Sequence, residues 1–433
     1  MVFYEILREE SWSKELNQKR HQSETEVDNL KAKHSYEKLS VSYQSLIKKQ
    51  NTFFKYALCI LMNIGEDLKL EYKIVNKGIV SILGKLLERN SQDLLLVIVV
   101  YLKKLSIFNE NLEQMKKFGI SRNLLSILVH ENDLLIFNTI KLFYNLMLDR
   151  DLKLYFLRSG FLAKIFKFLV QKQFVSSIVS CFYLISCDVK LIDSFNSFPQ
   201  IVPILLEHSL KPDIDFAPVL FSLLINMASN FNLALQIVEC QEYEVIVTKF
   251  VQGSLVGGIQ QNILKLLRNI STHNGAIFRM TISKHCSKLV EYYHKISITN
   301  QSGYSFEDEK CECLLILANI SQQCEDFSKI FLEKSLFNLL IEIFEQKDSK
   351  VNIDLLKNSL FFLAASAHNS EICSFLLEHD IVKICLRILD DLQDNDTIVL
   401  NVIYCFYVFI KGCDMQARKN ICDQTSKFNY YDY

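Results

Sequence analysis

The sequence predicts an all-α protein built as a solenoid, because two different residue types recur along the chain at the same interval. Asn63, Lys104 and Asn145 are 41 residues apart. A glycine series keeps the same step of 41 residues and consists of Gly78, Gly119 and Gly160. A period of about forty residues is typical of helical repeat arrays. Only four prolines occur in 433 residues, so long stretches of the chain can form uninterrupted helices.

Each repeat is predicted to contain three helices, with a glycine between the first and the second. The first complete unit, with the helix that precedes it, is predicted to consist of helices over 53–64, 66–77, 79–88 and 92–106. Gly78 lies between the helices over 66–77 and 79–88, which are the first and second helices of the repeat. Glycine is expected there because it adopts the positive φ that ends a helix. Units of three helices with a regular glycine are typical of armadillo repeats. The predicted fold is therefore a right-handed armadillo-repeat α-solenoid.

The chain divides into three predicted parts. Residues 1–50 contain no glycine or proline, and 17 of them are charged, which predicts a solvated helical leader with Trp12 as its anchor onto the neighbouring body. Residues 51–412 are predicted to form an array of about eight to nine repeats. Residues 413–433 form a polar, aromatic tail that either frays or adds a further helix.

Two places interrupt the regular step. All four prolines lie between Pro199 and Pro218, which predicts a bend or a shortened repeat there. A polar loop around 300–303 accounts for the longest interval in the array.

Charge and hydropathy exclude several classes of partner. The chain has 48 basic and 49 acidic residues, so it has no overall attraction to nucleic acid or to an anionic membrane. The strongly apolar run without charge at Leu94–Leu102 is too short for a bilayer, which requires about 20 residues. The first residues carry acids where a signal peptide is basic. The sequence predicts a cytoplasmic protein that neither inserts into membranes nor binds nucleic acid.

No motif indicates catalysis or a cofactor. The sequence contains no Walker loop, no GxGxxG and no strand that could present a nucleophile. The closest cysteines, Cys311 and Cys313, with Cys286 beside His285, lack the CxxC spacing of structural zinc sites. Reduced thiols in a helical core are the preferred interpretation. We therefore predict no enzyme activity, no cofactor, no metal and no small-molecule substrate.

Polar residues at one phase of the third helices are the candidate partner-binding residues. A buried asparagine amide must be satisfied, so it either braces the adjoining turn or faces a groove and pairs with the main chain of an extended peptide. Both interpretations stay open for any single residue, and the groove is favoured for the set. The predicted groove residues expected to lie in one continuous line are Asn63, Lys104, Asn145, Asn226, Asn269 and Asn319. Four further predicted groove residues lie on or near the same helical face and are Lys103, Lys141, Lys265 and Arg268.

The basic members of this set predict the charge of the partner. Lys141 and Lys265 each lie four residues before an asparagine of the series, so each shares a helical face with it. A groove with cationic patches favours an acidic segment, mainly through association rate and selectivity. Leu184 and Ala365 interrupt the asparagine series.

Several sequence blocks occur in an order that resembles one family. They are LREESWSKEL (7–16), MNIGEDLKLEYKIVNKGIVSILGKLLERN (62–90), YLKKLSIFNEN (101–111), LFYNLMLDRDLK (142–153), KLLRNISTHNG (265–275) and VIYCFYVFI (402–410). Together they resemble the kinesin-associated protein family, the non-motor accessory subunit of heterotrimeric kinesin II. The resemblance implies an adaptor that binds the tails of two kinesin heavy chains and links them to cargo adaptor proteins. It also implies a place on the cytoskeleton and in the cilium or flagellum, in intraciliary transport.

Two other functions are compatible with a repeat array. A generic armadillo adaptor for extended peptides, similar to catenins or nuclear-transport adaptors, would carry Trp-Asn pairs along its groove, whereas the single tryptophan, Trp12, precedes the repeats. An enzyme or exchange factor on a repeat scaffold would require an appended catalytic domain, and no stretch of this chain is long enough to form one.

Overall fold

The computed structural model describes residues 26–211, 215–253, 259–298, 306–323, 327–345, 352–413 and 415–426. Within these ranges the regular secondary structure is helical, without β-strands, as the sequence predicts. The chain forms two compact units, which meet in sequence at Leu142 and Phe143. Trp12, the loop at 300–303 and the last residues of the tail lie outside the described residues.

The first unit contains one long helix, one complete set of three helices and most of a second set. Its helices are α1 (Glu26–Ile64), α2 (Leu68–Asn76), α3 (Ile79–Leu86), α4 (Gln92–Leu105), α5 (Asn109–Lys117), α6 (Ile120–Ile127) and the first part of α7 (Asp133–Leu146). Helix α1 runs without a break through residue 50 and ends one residue before Gly65. The three-helix unit that the sequence predicts between Gly65 and Ser106 is confirmed.

The second unit continues the same order from Phe143 onwards. Its helices are α8 (Arg150–Arg158), α9 (Phe161–Phe166), α10 (Lys172–Ser186), α11 (Ile201–Ser209), α12 (Ala217–Met227), α13 (Phe231–Glu239), α14 (Gln241–Val251), α15 (Gln260–Ser271), α16 (Ala276–Ser283), α17 (Cys286–Ile298), α18 (Glu307–Gln323), α19 (Ser328–Glu333), α20 (Leu336–Glu345), α21 (Ile353–Ser366), α22 (Ser370–Glu378), α23 (Ile381–Asp391), α24 (Asp396–Gly412) and α25 (Met415–Ser426). Helix α25 shows that part of the predicted tail is a further helix.

Short side chains and glycines fix where the first two helices of a repeat begin. Asp67 accepts hydrogen bonds from the backbone N–H groups of Lys69 and Leu70 and so caps α2. Gly78 has a φ of +89°, and Gly119 and Gly160 are left-handed at the equivalent positions. Ser335 and Asp380 occupy the same place in later repeats, with φ of +52° and +54°. The predicted role of the glycine series is confirmed, and two later repeats keep this conformation without glycine.

The third helices form the spine of each unit. Helix α1 packs on α4 in the first unit, and in the second unit α10, α12, α15, α18, α21 and α24 pack successively, each on the next. Aromatic residues fill the space beneath them, as where the Phe143 ring centroid lies 4.8 Å from that of Phe156 and 5.0 Å from that of Phe161. The all-α, armadillo-type solenoid is confirmed by this arrangement.

The proline-containing repeat is shortened, as predicted. A 3₁₀ segment over Ile192–Ser197 replaces its first helix, and its third helix, α12, has 11 residues where α4 has 14. Pro203 lies in the first turn of α11, and Pro218 lies near the start of α12, where a missing N–H costs no intrahelical hydrogen bond.

None of the described helices is by itself long and apolar enough to cross a membrane. Helices α12 and α13 reach the required length and composition only as a pair, and that pair is bent by 119°.

Candidate partner-binding surface

Lys104 of α4 is bonded to the end of the preceding third helix. Its Nζ donates to the backbone carbonyls of Met62, at 3.3 Å, and Gly65, at 2.7 Å. The same Nζ lies 3.5 Å from Oε2 of the buried Glu71. Because the last carbonyls of a helix have no intrahelical donor, Lys104 caps α1. Its side chain remains 30% exposed, so the ammonium also reaches the surface.

The other predicted groove residues of the first unit differ in exposure. Lys103 is half-buried and donates to Oδ1 of Asn138 at 2.7 Å. Burial, and to a smaller extent the charge of Lys141, lowers the pKa of Lys103. Lys141 is exposed, with its Nζ 4.3 Å from the ring centroid of Phe137, and Asn63 is exposed near the end of α1. Lys141 and Asn63 therefore present their polar groups most openly.

In the second unit the asparagines brace the preceding third helix. Asn226, Asn269 and Asn319 are each half-buried, and each donates a hydrogen bond from Nδ2 across the junction between repeats. Nδ2 of Asn226 also donates to Sγ of Cys187 at 3.8 Å. The acceptors are Oγ of Ser186 for Asn226 at 3.0 Å, the carbonyl of Ile225 for Asn269 at 2.9 Å, and Oγ of Ser271 for Asn319 at 2.8 Å. A primary amide has two N–H donors and an acceptor oxygen, so one such bond leaves further capacity. Their binding to a partner's main chain stays a prediction.

Buried serines accept two of these hydrogen bonds, and the sequence analysis did not predict them. Ser106, Ser186 and Ser271 each lie two residues after the recurrent third-helix position and are almost fully buried. Each hydroxyl donates to the carbonyl three residues earlier; the acceptors are those of Lys103, Tyr183 and Arg268. The signal was present in the sequence as KLS (104–106), LIS (184–186) and NIS (269–271). A serine two residues after several of the recurrent positions could have indicated hydrogen bonds within and between the third helices.

Arg268 is paired with a carboxylate of the next third helix. Its Nη1 lies 3.0 Å from Oε1 and 2.9 Å from Oε2 of Glu312, on α18. Burial raises the pKa of the Glu312 carboxyl, whereas Arg268 and then Lys265 favour its charged form. Lys265 is half-buried and shares this electrostatic environment. The positive charge predicted at this part of the groove is therefore partly neutralised within the protein.

The remaining positions of the series follow no single pattern. Asn145 is half-buried on α7. At the position of Leu184 the backbone carbonyl accepts a hydrogen bond from Nζ of Lys153 at 2.8 Å. Ala365 is fully buried.

The described residues contain no group of three or more His, Cys, Asp or Glu side chains positioned to hold a metal ion. Cys286 and Cys313 are buried, and burial raises the pKa of the Cys311 and Cys313 thiols. A thiol with a raised pKa is a poor nucleophile at neutral pH. The cysteines that the sequence analysis considered for a zinc site thus belong to the helical core.

Helix α24 carries an exposed apolar face that the sequence interpretation did not identify. Its exposed residues are Leu400, Ile403, Tyr404, Tyr407 and Ile410. Tyr404 and Tyr407 stack with their ring centroids 6.3 Å apart. Tyr404 also lines a cleft of about 450 Å³, together with His368 and small polar residues from α18 and α21. The surface of the second unit therefore changes from polar at α15 to apolar at α24.

Two solved structures resemble this chain in fold. An engineered protein from the Northeast Structural Genomics Consortium has a TM-score of 0.68 and 17% identity, over 86% of this chain and 88% of that chain. A structure from a study of a phosphorylation switch between cadherin and β-catenin has a TM-score of 0.64 and 14% identity, over 86% of this chain and 76% of that chain. At these identities the likeness shows the fold alone.

A family model described as kinesin-associated protein (KAP) matches residues 1–431, which is nearly the whole chain. The match includes the leader, both compact units and helix α25. It agrees with the sequence blocks that resemble this family, and it extends beyond them. The chain belongs to the kinesin-associated protein family.

Proposed function

We propose that this chain is the non-catalytic adaptor subunit of heterotrimeric kinesin II. It binds the tails of the kinesin heavy chains and links them to cargo adaptor proteins in microtubule-based, intraciliary transport. The observation that carries the proposal is the family match over residues 1–431. The repeat array supports it, because such arrays provide long surfaces for holding other macromolecules. The expected locations are the cytoplasm, the cytoskeleton and the cilium or flagellum.

The third helices provide the surface that we assign to the heavy-chain tails. Lys141 and Asn63 in the first unit, and Lys265 and the amide group of Asn269 in the second, combine positive charge with hydrogen-bonding capacity. These groups suit an acidic segment whose backbone accepts and donates hydrogen bonds. An exposed ion pair contributes about 0.2–1 kcal/mol, so binding should rest on many weak contacts.

The identity of the partners is tested first. Affinity purification of the tagged chain from ciliated cells, followed by mass spectrometry, should recover two kinesin heavy chains as the dominant partners. Recovery of other proteins without any kinesin heavy chain would contradict the proposal.

The binding surface is tested with purified heavy-chain tails. The Lys141→Glu, Lys265→Glu variant removes one exposed and one half-buried cation and leaves the internal cap at Lys104 intact. Loss of two ion pairs with the partner, at about 0.2–1 kcal/mol each, predicts a decrease in affinity of roughly 2- to 30-fold. A control variant, Lys117→Glu with Lys288→Glu, makes the same charge change at exposed positions on α5 and α17. Equal effects of the two variants, or no effect of the first, would place the motor site elsewhere.

A further inference from the structure

Helix α24 carries exposed apolar side chains as one unbroken row on the face opposite its buried side. The row advances by three, four and three residues, and its members are Leu400 (65% exposed), Ile403 (52%), Tyr407 (48%) and Ile410 (37%). The buried residues Val402, Cys405 and Phe409 lie on the other side of the helix, roughly half a turn away. We call the four exposed residues the α24 row.

Contacts within the chain leave the row accessible. Tyr407 stacks on the ring of Tyr404, and Nζ of Lys411 lies 5.0 Å from the Tyr407 ring centroid, but Tyr407 remains 48% exposed. Tyr404 stands beside the row, and its hydroxyl group lies 3.3 Å from Nε2 of His368. The described helices with extensive contacts to α24 are α21, α22, α23 and α25. The row is exposed in the presence of all four.

The row is separate from the predicted groove residues. Asn319, the last of them along the chain, lies on α18, and α21 packs between α18 and α24. The groove residues to which the proposed function assigns the heavy-chain tails lie still earlier, on α1, α7 and α15. The row is also apolar, whereas those residues are cationic or carry amides.

The preceding third helix shows what such a row does inside the array. Helices α21 and α24 align with a shift of 43 residues, which superposes the capping residues Asn352 and Asn395 and the buried residues Phe362 and Cys405. With this shift the row corresponds to Lys357, Leu360, Ala364 and Ala367 of α21. The last three of these are fully buried.

Helix α24 itself packs on these positions of α21. Two of its side chains donate to backbone carbonyls there, from Nδ2 of Asn401 to Lys357 at 3.1 Å and from Sγ of Cys405 to Leu360 at 3.5 Å. A Cβ added to Gly412 would lie 3.4 Å from the carbonyl oxygen of Ala367. The row of one third helix is therefore the surface on which the next third helix packs. On α24 the same surface is exposed and apolar, which is typical of an interaction site.

Charge selects the kind of helix that fits. Asp396 lies four residues before Leu400 and Lys411 lies four residues after Tyr407, so both share the face of the row, and both are exposed. Successive third helices run parallel, because each repeat keeps the orientation of the one before. A second copy of α24 in this orientation would bring like charges together, which disfavours self-association. A helix that is basic at its amino end and acidic at its carboxyl end would place opposite charges beside Asp396 and Lys411.

We propose that the α24 row is a docking site for an amphipathic helix of a partner protein. The helix packs parallel to α24, in the place of a next third helix, and presents Leu or Ile at heptad spacing to the row. Its first turns are basic and its last turns are acidic. This inference goes beyond the proposed function, because the row lies outside the predicted groove and its evidence is independent of the family match.

The test uses the full chain and a synthetic peptide of three heptads. The peptide has Ile and Leu at the a and d positions, Lys at the e and g positions of the first heptad and Glu at those of the last. A peptide of the same composition in shuffled order is the control. With the labelled peptide at nanomolar concentration, fluorescence anisotropy should show saturable binding of the ordered peptide alone. Absence of binding, or equal binding of the shuffled peptide, would refute the proposal.

Two variants and a matched control locate the site, and far-UV circular dichroism verifies that each is folded. Leu400→Glu with Ile403→Glu should weaken binding of the ordered peptide at least tenfold. The control, Leu148→Glu with Ile277→Glu, makes the same change at positions that are 62% and 45% exposed and should leave the affinity unchanged. Lys411→Glu leaves the row intact and should shift preference to a peptide with Lys in its last heptad. Unchanged affinity in the first variant, or an equal loss in the control, would overturn the assignment.

Direction and occupancy are measured by photo-crosslinking. A photoreactive group in the last heptad of the peptide should crosslink near position 411, and one in the first heptad near position 396; the reverse pattern would contradict parallel packing. A photoreactive amino acid at position 403 should crosslink in cells to a partner helix with this spacing and charge order. Crosslinks to a partner segment without them, to a second copy of this chain or to residues 427–433 of the same chain would overturn the proposal.

Self-association and heavy-chain binding are measured independently. The full chain should sediment as a monomer at concentrations that saturate with the peptide, and a dimer that Leu400→Glu with Ile403→Glu abolishes would assign the row to a second copy instead. The same variant should bind heavy-chain tails with unchanged affinity. Loss of tail binding in this variant would show that the row belongs to the motor site and would overturn its assignment to a separate partner.

Discussion

Replacing Lys104 with methionine should destabilise the junction between α1 and the first complete repeat. Methionine keeps the apolar stem of the side chain and removes the ammonium group. The carbonyls of Met62 and Gly65 then lose their donor, and the Glu71 carboxylate, which is 4% exposed, loses the cation 3.5 Å away. The change therefore affects a helix cap and an ion pair at once.

The magnitude follows from these contacts. Hydrogen bonds from a charged group contribute about 1.5–3 kcal/mol, and removal of one partner from a buried pair costs about 3–5 kcal/mol. The Lys104 side chain is 30% exposed, so water can replace part of each interaction. We expect a decrease of about 2–3 kcal/mol in the free energy of unfolding.

A double-mutant cycle measures the ion pair separately. Urea unfolding, followed by circular dichroism, is compared for the wild type, Lys104→Met, Glu71→Gln and the double variant. Glu71→Gln should cost less in the Lys104→Met background than in the wild type, because the unpaired carboxylate is removed. Hydrogen exchange should accelerate first at the end of α1 and in α2. Lys141→Met, at an exposed lysine, is the control and should change stability by less than about 1 kcal/mol.

Two results would refute this reasoning. The first is a Lys104→Met variant within about 0.5 kcal/mol of the wild type, which is the usual effect of an ordinary surface substitution. The second is strict additivity in the cycle, because groups in direct contact are expected to couple.

Three further predictions concern the repeats themselves. Gly119→Ala should lower the free energy of unfolding in urea by about 1–2 kcal/mol through backbone strain alone, because a Cβ there meets nothing within 4 Å. Ser335→Gly should raise the free energy of unfolding by roughly 0.5–1 kcal/mol. Changes of the same sign in the two variants would contradict the left-handed assignment. Asn319→Ala should cost about 1 kcal/mol through the lost bond to Ser271 and should accelerate hydrogen exchange in α15 and α18, and unaltered exchange there would argue against the brace. Leu146→Ala should open a cavity and lower the free energy of unfolding by about 2–5 kcal/mol. Hydrogen exchange should accelerate first in the neighbouring repeats, because each repeat is stabilised by its contacts with the next. Uniform acceleration across the second unit would contradict this expectation.

Helix boundaries could be predicted from the sequence because local chemistry sets them. Gly78 ends a helix through its left-handed backbone conformation, and Asp67 begins one through a side-chain cap. Each signal acts within a few residues and needs no knowledge of the rest of the fold. The shortened repeat at the prolines was predictable for the same reason.

The role of each polar residue could not be predicted in this way. Whether Asn269 faces a groove or braces a neighbour depends on the carbonyl of Ile225, which is 44 residues away in the chain. Lys104 likewise depends on Glu71 and on the end of α1. Helix α24 is apolar on nearly all sides, a pattern that normally indicates burial, yet Tyr407 is 48% exposed. These features depend on the distance and direction of neighbouring repeats.

The hydrogen bonds that asparagine side chains make between third helices also determine how far one helix can slide along the next. Apolar surfaces tolerate displacement, because a leucine finds similar surroundings one turn away. A bond such as that from Asn319 to Ser271 would break completely after a slip of one turn, about 5.4 Å. These residues therefore specify alignment, as a single buried asparagine does in a coiled coil. Apolar positions in the second unit can diverge widely while its helices keep their offset, provided that these few amides and hydroxyls are retained.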